Sequence, residues 1–376
     1  MKSLKMNGLT RLLAFFLIAV ILISVVSIAV GGRQSNPNNE PDSGDVGNQT
    51  DETDENKDGQ GSGSEDKNTE PTPPTDDATV NTPKYYSIMT GLEISKEQSE
   101  SSPIAFLVDS SAPLYGVSNA DITFEIPTEN GKTRFLVYQT NTESLWKIGS
   151  LAPARAFISS LTNIVGGTIV SYGNDDILRY DSQDYSNQNL NIKNNSDSYY
   201  LENTTYIYTG IDRINELTKA NSKFNNTGYK TAPFLFSDNE FKGTASASTV
   251  ILPYSESSES IFYYSDKSES YTLYKSGNKV TDKLTGDNLS YKNLFVLFAN
   301  STTYENADGK ELVLDTYSGG HGYYASSGSM IEIRWSISED GSLIFKTLNG
   351  DILSVTPGNS YVGFYKSSVS SEVVFR

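Results

Sequence analysis

The sequence predicts an α+β protein: a domain of mixed strands and helices over 85–240, then a mostly antiparallel β domain over 241–376. A transmembrane helix and a disordered acidic linker are expected ahead of both. Three observations lead there. Short runs rich in Val, Ile, Tyr, Phe and Thr recur from residue 104 to 365, separated by Gly, Asn, Asp and Ser. Apolar residues at helical spacing occur only before about residue 240. Outside 12–30, the first 84 residues hold few large apolar side chains and cannot build a core.

Residues 1–11 carry Lys2, Lys5 and Arg11 and no acid, a basic cytoplasmic start. From Leu12 to Val30 no charge appears, and Ser24 and Ser27 are the only polar residues. At about 1.5 Å per residue these positions span about 28 Å, close to the hydrocarbon thickness of a bilayer. Basic residues before the span and acidic ones after it place the amino terminus inside and the rest outside. A cleaved signal peptide is the competing reading, but its apolar core is usually only about 7–15 residues.

Residues 31–84 are built from Asn, Asp, Glu, Gly, Ser, Thr and Pro, with thirteen acids against Arg33, Lys57, Lys67 and Lys84. Such a segment offers too little apolar surface to offset chain entropy, and its charges and prolines keep it extended. Within it, Asp54, Asn56, Asp58, Gly59 and Glu65 fit the spacing of a calcium-binding loop. No helices flank the loop to clamp it, and acidic Gly-rich sequence produces such matches by chance.

The folded part is read from Tyr85 onward. Strands are predicted at 104–109, 122–126, 133–140, 204–210, 249–254, 294–299, 312–317, 322–326, 330–337, 342–347 and 361–365. Asn130-Gly131, Asp308-Gly309, Asp340-Gly341 and Asn349-Gly350 are turn signals, and the last two are expected to close tight hairpins. A helix is predicted after Pro153, placing Phe157, Leu161 and Ile164/Val165 on one face and ending at Gly166-Gly167. A second starts at Thr209, with Asp212 three residues on, and buries Ile211, Ile214 and Leu217. A weaker one covers 175–180.

Composition removes several chemistries. With no cysteine and one histidine, thiolate or His-rich metal sites, Cys nucleophiles and disulfides are out. A formal charge of −17 argues against duplex nucleic acid as partner. No phosphate-cradling loop and no strand–GxGxxG–helix occurs, so no cofactor and no metal are expected. His321, in Ser318-Gly-Gly-His-Gly322, lacks the setting of a nucleophile elbow and reads as part of a surface turn.

Asp109, Glu125 and Arg134 fall on the ends or faces of neighbouring predicted strands, and Arg155 at a helix start. Together they are the candidate ligand-binding residues; no catalytic residue is assigned. Paired carboxylates with an arginine suit a polar ligand, or acid–base work on a sugar. The plainer account is an ion-pair cluster, with Glu125 and Arg134 as cross-strand partners. Trp146 and Trp335 suit stacking on sugar rings or anchoring a partner, or simply core filling.

At the level of whole segments, the run from Pro103 to Thr140 followed by KIGSLAPARAFI (147–158) resembles the YerB-like (DUF3048) family of bacterial lipoproteins. TVILPYSESSESIFYYSDKSESYTLYKSGNKVTDKLTGDNLSYKNLFVLF and DTYSGGHGYYASSGSMIEIRWSI continue the likeness, in order, through LNGDILSVTPGNSYVGFY. The resemblance implies an extracytoplasmic Gram-positive protein in two parts, and no established activity. Departures are visible. The lipid-anchor cysteine is missing, so 12–30 must anchor the chain; SLAPAR keeps Arg155 but has Ala152 where relatives carry arginine. Ser171-Tyr172 stand where relatives show a histidine, and YYLENTTYIYTG replaces an Arg-rich stretch.

Two functions are consistent with this. One is a tethered binding or scaffold module at the outer membrane face, meeting a cell-wall polymer or an envelope protein. The other is a carboxylate-dependent hydrolase of wall glycan or peptide. Carboxylates open to a cleft would favour the second; carboxylates already spent on internal partners would favour the first.

Overall fold

The computed structural model describes Pro83–Arg376 apart from 156–157, 159–160, 162–164, 174–188, 222–231, 307–308, 316–317 and 339–341. The predicted span 12–30, the linker to 82, the calcium-like loop and the weak helix at 175–180 lie outside the described residues. Among those described, no helix is long and apolar enough to cross a membrane.

The described chain is mostly β. Its main strands are β1 (Ile104–Asp109), β2 (Ile122–Pro127), β3 (Thr133–Gln139), β4 (Thr168–Ser171), β5 (Asn189–Asn191), β6 (Thr249–Ser255), β7 (Ser258–Ser265) and β8 (Ser270–Lys275). They continue with β9 (Asn293–Asn306), β10 (Gly309–Asp315), β11 (Gly320–Ser326), β12 (Ser329–Ile337), β13 (Leu343–Thr347) and β14 (Ser360–Lys366). The helices are α1 (Lys96–Glu100) and α2 (Ile211–Ala220). Ser95 closes a capping box with Gln98 on α1, a short element that the apolar periodicity does not reveal.

One large mixed sheet runs through the body in the order β12-β11-β9-β14-β2-β3-β1-β4-β5, with Ala245–Ser246 beside β12, β10 on β9 and β13 on β12. Strands from both sides of residue 240 therefore share it. The join is β14 against β2, a parallel pairing of Ser360–Gly363 with Ile122–Glu125. β6, β7 and β8 form a second, antiparallel sheet that also recruits Val374–Phe375.

The near-continuous apolar runs of the central strands follow from burial on both faces. Alternation assigns each side chain. Ala105, Leu107, Phe124, Leu136, Phe295, Leu297 and Phe364 fill the core on one face. Phe106, Val108, Phe135, Val137, Val296, Phe298 and Tyr365 fill the core on the other, where Val250, Leu252, Phe262 and Leu273 of the second sheet pack. Ile158, Leu161 and Val165 join the first core, and Gly166 and Gly167 have φ of 85° and 83°, the left-handed values that end a helix. Most of the helix predicted there lies outside the described residues.

α2 corrects its predicted start. Its N-cap is Gly210, without a side-chain cap; the Thr209 hydroxyl donates instead to the Ser198 carbonyl at 2.6 Å. Ile211 and Ile214 are buried and Leu217 is only partly so. The Asn349-Gly350 turn closes as predicted, with the Gly350 amide donating to the Thr347 carbonyl at 3.0 Å. β12 and β13 pair up to Ile337 and Leu343, while Asp340-Gly341 lie outside the described residues.

A second tie joins the two sequence halves away from the sheet. The fully buried Asp282 carboxylate accepts four backbone amides: Gly116 at 2.9 Å and Leu284 at 2.8 Å on Oδ1, Val117 at 2.7 Å and Ser118 at 2.8 Å on Oδ2. Lys283 adds its amide to the Leu114 carbonyl at 2.8 Å.

Candidate functional site

Two hairpin tips, one from each half, meet at the join. The β2–β3 turn contains Asn130 at φ 59° and Gly131 at φ 69°, a left-handed pair that Asn-Gly adopts at little steric cost. Gly131 is required for a second reason: a Cβ there would lie 2.4 Å from the Cβ of Ser255. Ser255, at the β6–β7 connection, donates its hydroxyl to the Gly131 carbonyl at 3.3 Å. Beside this contact opens a polar cleft of about 390 Å³, bordered by Ser110, Asn130, Lys132, Thr133, Glu259 and Lys275.

Its floor is a closed polar network around Glu125. The side chain of Glu125 is fully buried, on the face of β2 opposite Phe124 and Ile126. Oε1 accepts from the Thr133 hydroxyl at 2.6 Å and from the Lys275 ammonium. Oε2 accepts from Ser260 at 2.7 Å and Tyr361 at 2.7 Å. The ammonium gives its remaining protons to Ser260 at 3.1 Å and Thr133 at 3.2 Å. Tyr254 bonds Tyr361 at 3.0 Å, and Ser110 bonds Thr133 at 2.5 Å. Burial first, and then the Glu125 charge, hold the Tyr254 and Tyr361 hydroxyls protonated well above the ordinary tyrosine range. All four acceptor positions of Glu125 and all three ammonium protons are used, so the network holds no idle base or nucleophile.

The structure separates the four sequence-predicted residues. Glu125 faces the second sheet, whereas Asp109 and Arg134 are register partners across β1 and β3. Glu125 lies opposite Phe135, and Arg134 opposite Ile126, so the cross-strand pairing of Glu125 with Arg134 is off by one residue, which reverses the face. Asp109 caps its own turn, accepting the Ser111 amide at 2.9 Å and hydroxyl at 2.6 Å. Arg134 donates to the Pro153 carbonyl. Arg155 makes a two-pronged pair with Glu129, at 2.7 Å from Nε and 3.4 Å from the terminal nitrogen. That pair ties the β2–β3 tip to the segment after Pro153.

Burial raises the Glu129 pKa, but the hydrogen bond and charge of Arg155 outweigh it and hold the carboxyl below its ordinary value. A lowered folded pKa contributes stability that is present above the unfolded value of about 4.3 and is lost as pH falls through the folded one. Both side chains are mostly buried, so Arg155→Ala is expected to cost about 2 kcal/mol at neutral pH, between an exposed and a buried pair. Because protonation of Glu129 removes the difference, the offset between urea melts of the two proteins should shrink progressively as pH falls below the ordinary carboxylate range. An offset that stays constant from neutral pH down into the acid range would refute this role.

Sequence reasoning missed Glu129, Lys275, Ser260 and Asp282. Glu129, Lys275 and Asp282 sit in a turn, a strand end or a loop, Ser260 is a small polar residue on the inward face of β7, and each finds its partner across 26 to 166 residues. His321 stacks on Phe298 with ring centroids 4.6 Å apart and lies opposite Arg334 in register, while the Ser318 hydroxyl is bound to Asp315. Gly319, at φ 66°, lies in the expected turn, but His321 does not: it belongs to β11, which starts at Gly320 and pairs with β12. Trp335 is core, donating its indole N–H to the Phe298 carbonyl at 3.2 Å, and Trp146 is 66% exposed. Among the described residues no group of three acidic or histidine side chains is placed to hold a metal ion.

Comparison with known proteins gives a consistent result. In the protein YerB of Bacillus subtilis (strain 168), a lipoprotein by name, 296 aligned residues are 26% identical, covering 74% of this chain and 86% of that protein. The crystal structure of YerB superimposes with a TM-score of 0.63 and 23% identity over 75% of this chain and 97% of that one, a likeness of fold. The DUF3048 N-terminal domain, of unknown function, matches residues 89–229, and the DUF3048 C-terminal domain matches 250–362. With both parts present in order, and more than half of its length accounted for, the chain belongs to the DUF3048 family.

Proposed function

We propose that this protein is a binding module of the cell envelope, anchored by residues 12–30 and reaching outward on the acidic segment 31–84. Its ligand is a hydroxyl-rich wall polymer held in the cleft between the two hairpin tips. The lipoprotein name of YerB supports the envelope location. The border of the cleft mixes hydroxyls, an amide, the ammonium groups of Lys132 and Lys275 and the carboxylate of Glu259, which suits a polyol that needs both donors and acceptors.

One observation supports the reading over a hydrolase: among the described residues Glu259 is the one carboxylate that lines the cleft, and the carboxylates nearest it already have internal partners. Glu125 is saturated by four donors and Glu129 by Arg155, which leaves Glu259 without a second open carboxylate to work with. Glycoside hydrolysis needs one carboxyl to give a proton to the leaving group and another to attack or activate water, both facing the substrate.

The full-length protein should co-sediment with isolated cell wall. Arg155→Ala, which frees the β2–β3 tip, should weaken binding by roughly tenfold, about 1.4 kcal/mol. No reducing ends should be released. Absence of co-sedimentation would overturn the binding reading, and release of reducing ends would establish the hydrolase instead.

A further inference from the structure

A second cavity, of about 350 Å³, lies against the β6–β7 connection and shares no lining residue with the polar cleft. Pro127, Pro253 and Val369 provide apolar wall, and the rings of Tyr254 and Tyr365 stand 5.2 Å apart at 54°. Tyr365 is 2% exposed, yet its hydroxyl has no hydrogen-bond partner. A buried hydroxyl without a partner is costly, so a group that supplies one is strongly favoured. Glu372, which also lines the cavity, acts electrostatically on that hydroxyl.

The proton arrangement defines what is missing. Tyr361 gives its proton to Glu125, so Tyr254 must give its own to Tyr361, and the Tyr254 oxygen keeps only acceptor capacity. Tyr365 keeps both an unused proton and unused lone pairs, with the Glu372 charge acting on its hydroxyl. The cavity is thus lined by two tyrosines, of which Tyr365 has an unpartnered hydroxyl, and by the carboxylates of Glu256 and Glu372, against the single ammonium of Lys366. Everything there asks for a donor cation.

We infer that this cavity binds a primary ammonium on an aliphatic stem, the chemistry of a lysine side chain, with Tyr365 and Glu372 receiving the ammonium and the prolines packing its methylenes. This site is separate from the polar cleft and does not depend on it.

The test titrates the full-length protein with Nα-acetyl-lysine amide by calorimetry or tyrosine fluorescence. Saturable binding is expected, weakened about tenfold when the probe's Nε is acetylated and about tenfold in Tyr365→Phe or Glu372→Gln. Tyr365→Phe removes a hydroxyl that bonds nothing, so its melting temperature should not fall, which separates lost binding from lost folding. Lys366→Met, which removes the competing cation, should bind more tightly. No saturable binding, equal affinity for the Nε-acetylated probe, or undiminished affinity in both weakening variants would each overturn the assignment.

Discussion

Lys275→Met is expected to lower unfolding stability by about 4 kcal/mol, because it strands a fully buried carboxylate. Methionine matches the volume of the lysine stem, so packing against Phe135, whose ring centroid lies 5.2 Å from the ammonium, is largely kept. What is lost is the positive charge and the protons given to Glu125, Thr133 and Ser260. Glu125→Gln alone should cost less. Its amide still accepts on one side, and the lysine, 15% exposed, can turn toward the cleft water. Combining Glu125→Gln with Lys275→Met removes both charges, and the double variant should recover about 2 kcal/mol relative to Lys275→Met. Urea unfolding of the four proteins measures the coupling. A Lys275→Met loss below about 1 kcal/mol would mean that the pair contributes no more than an exposed one.

Asp282→Ala should be of similar or larger size, for a different reason. No charge is stranded; instead four backbone amides lose their acceptor together. At about 1–3 kcal/mol per unmet buried donor, with water reaching the less buried Ser118 and Leu284, a loss of at least about 4 kcal/mol follows. That is a large share of the roughly 5–15 kcal/mol that usually separates folded from unfolded domains. Asp282→Asn is nearly isosteric but turns an NH₂ toward two donors, so it should lose almost as much as alanine. A melting temperature lowered by about 10 °C in both variants is the expected readout. Protease cleavage within 113–120 should appear with it, since that loop is what the carboxylate holds. An Asp282→Asn protein that melts like wild type would show that volume, not the acceptor set, matters there.

Much of the fold was legible because it is written in local pattern. IAFLVD, ITFEI, LFVLFA and YVGFY are strands where predicted, within a residue or so at most ends. β7 and β8 were not recognised, since SESIFYYS and SYTLYK alternate serine and charge with aromatics and sit at the edge of composition rules. The site was legible only in fragments. Glu125 and Arg155 were singled out for their type and neighbourhood, but the first found Lys275, 150 residues on, and the second found Glu129. Arg134 and Glu125 are separated by the parity of an antiparallel register, which no single-strand pattern states.

From its residues alone, this chain set out an apolar amino-terminal stretch, a core-less acidic run after it, many short strands and the glycine turns between them. These are consequences of composition and of side-chain periodicity, which act over a few residues. The tertiary structure alone decided that β14 would lie parallel to β2 and carry the sheet across both halves. With that pairing came the choice of face for every alternate side chain, and so the partners of each buried charge. Pairings between residues more than a hundred positions apart depend on which surfaces exclude water together, and local spacing carries no record of that.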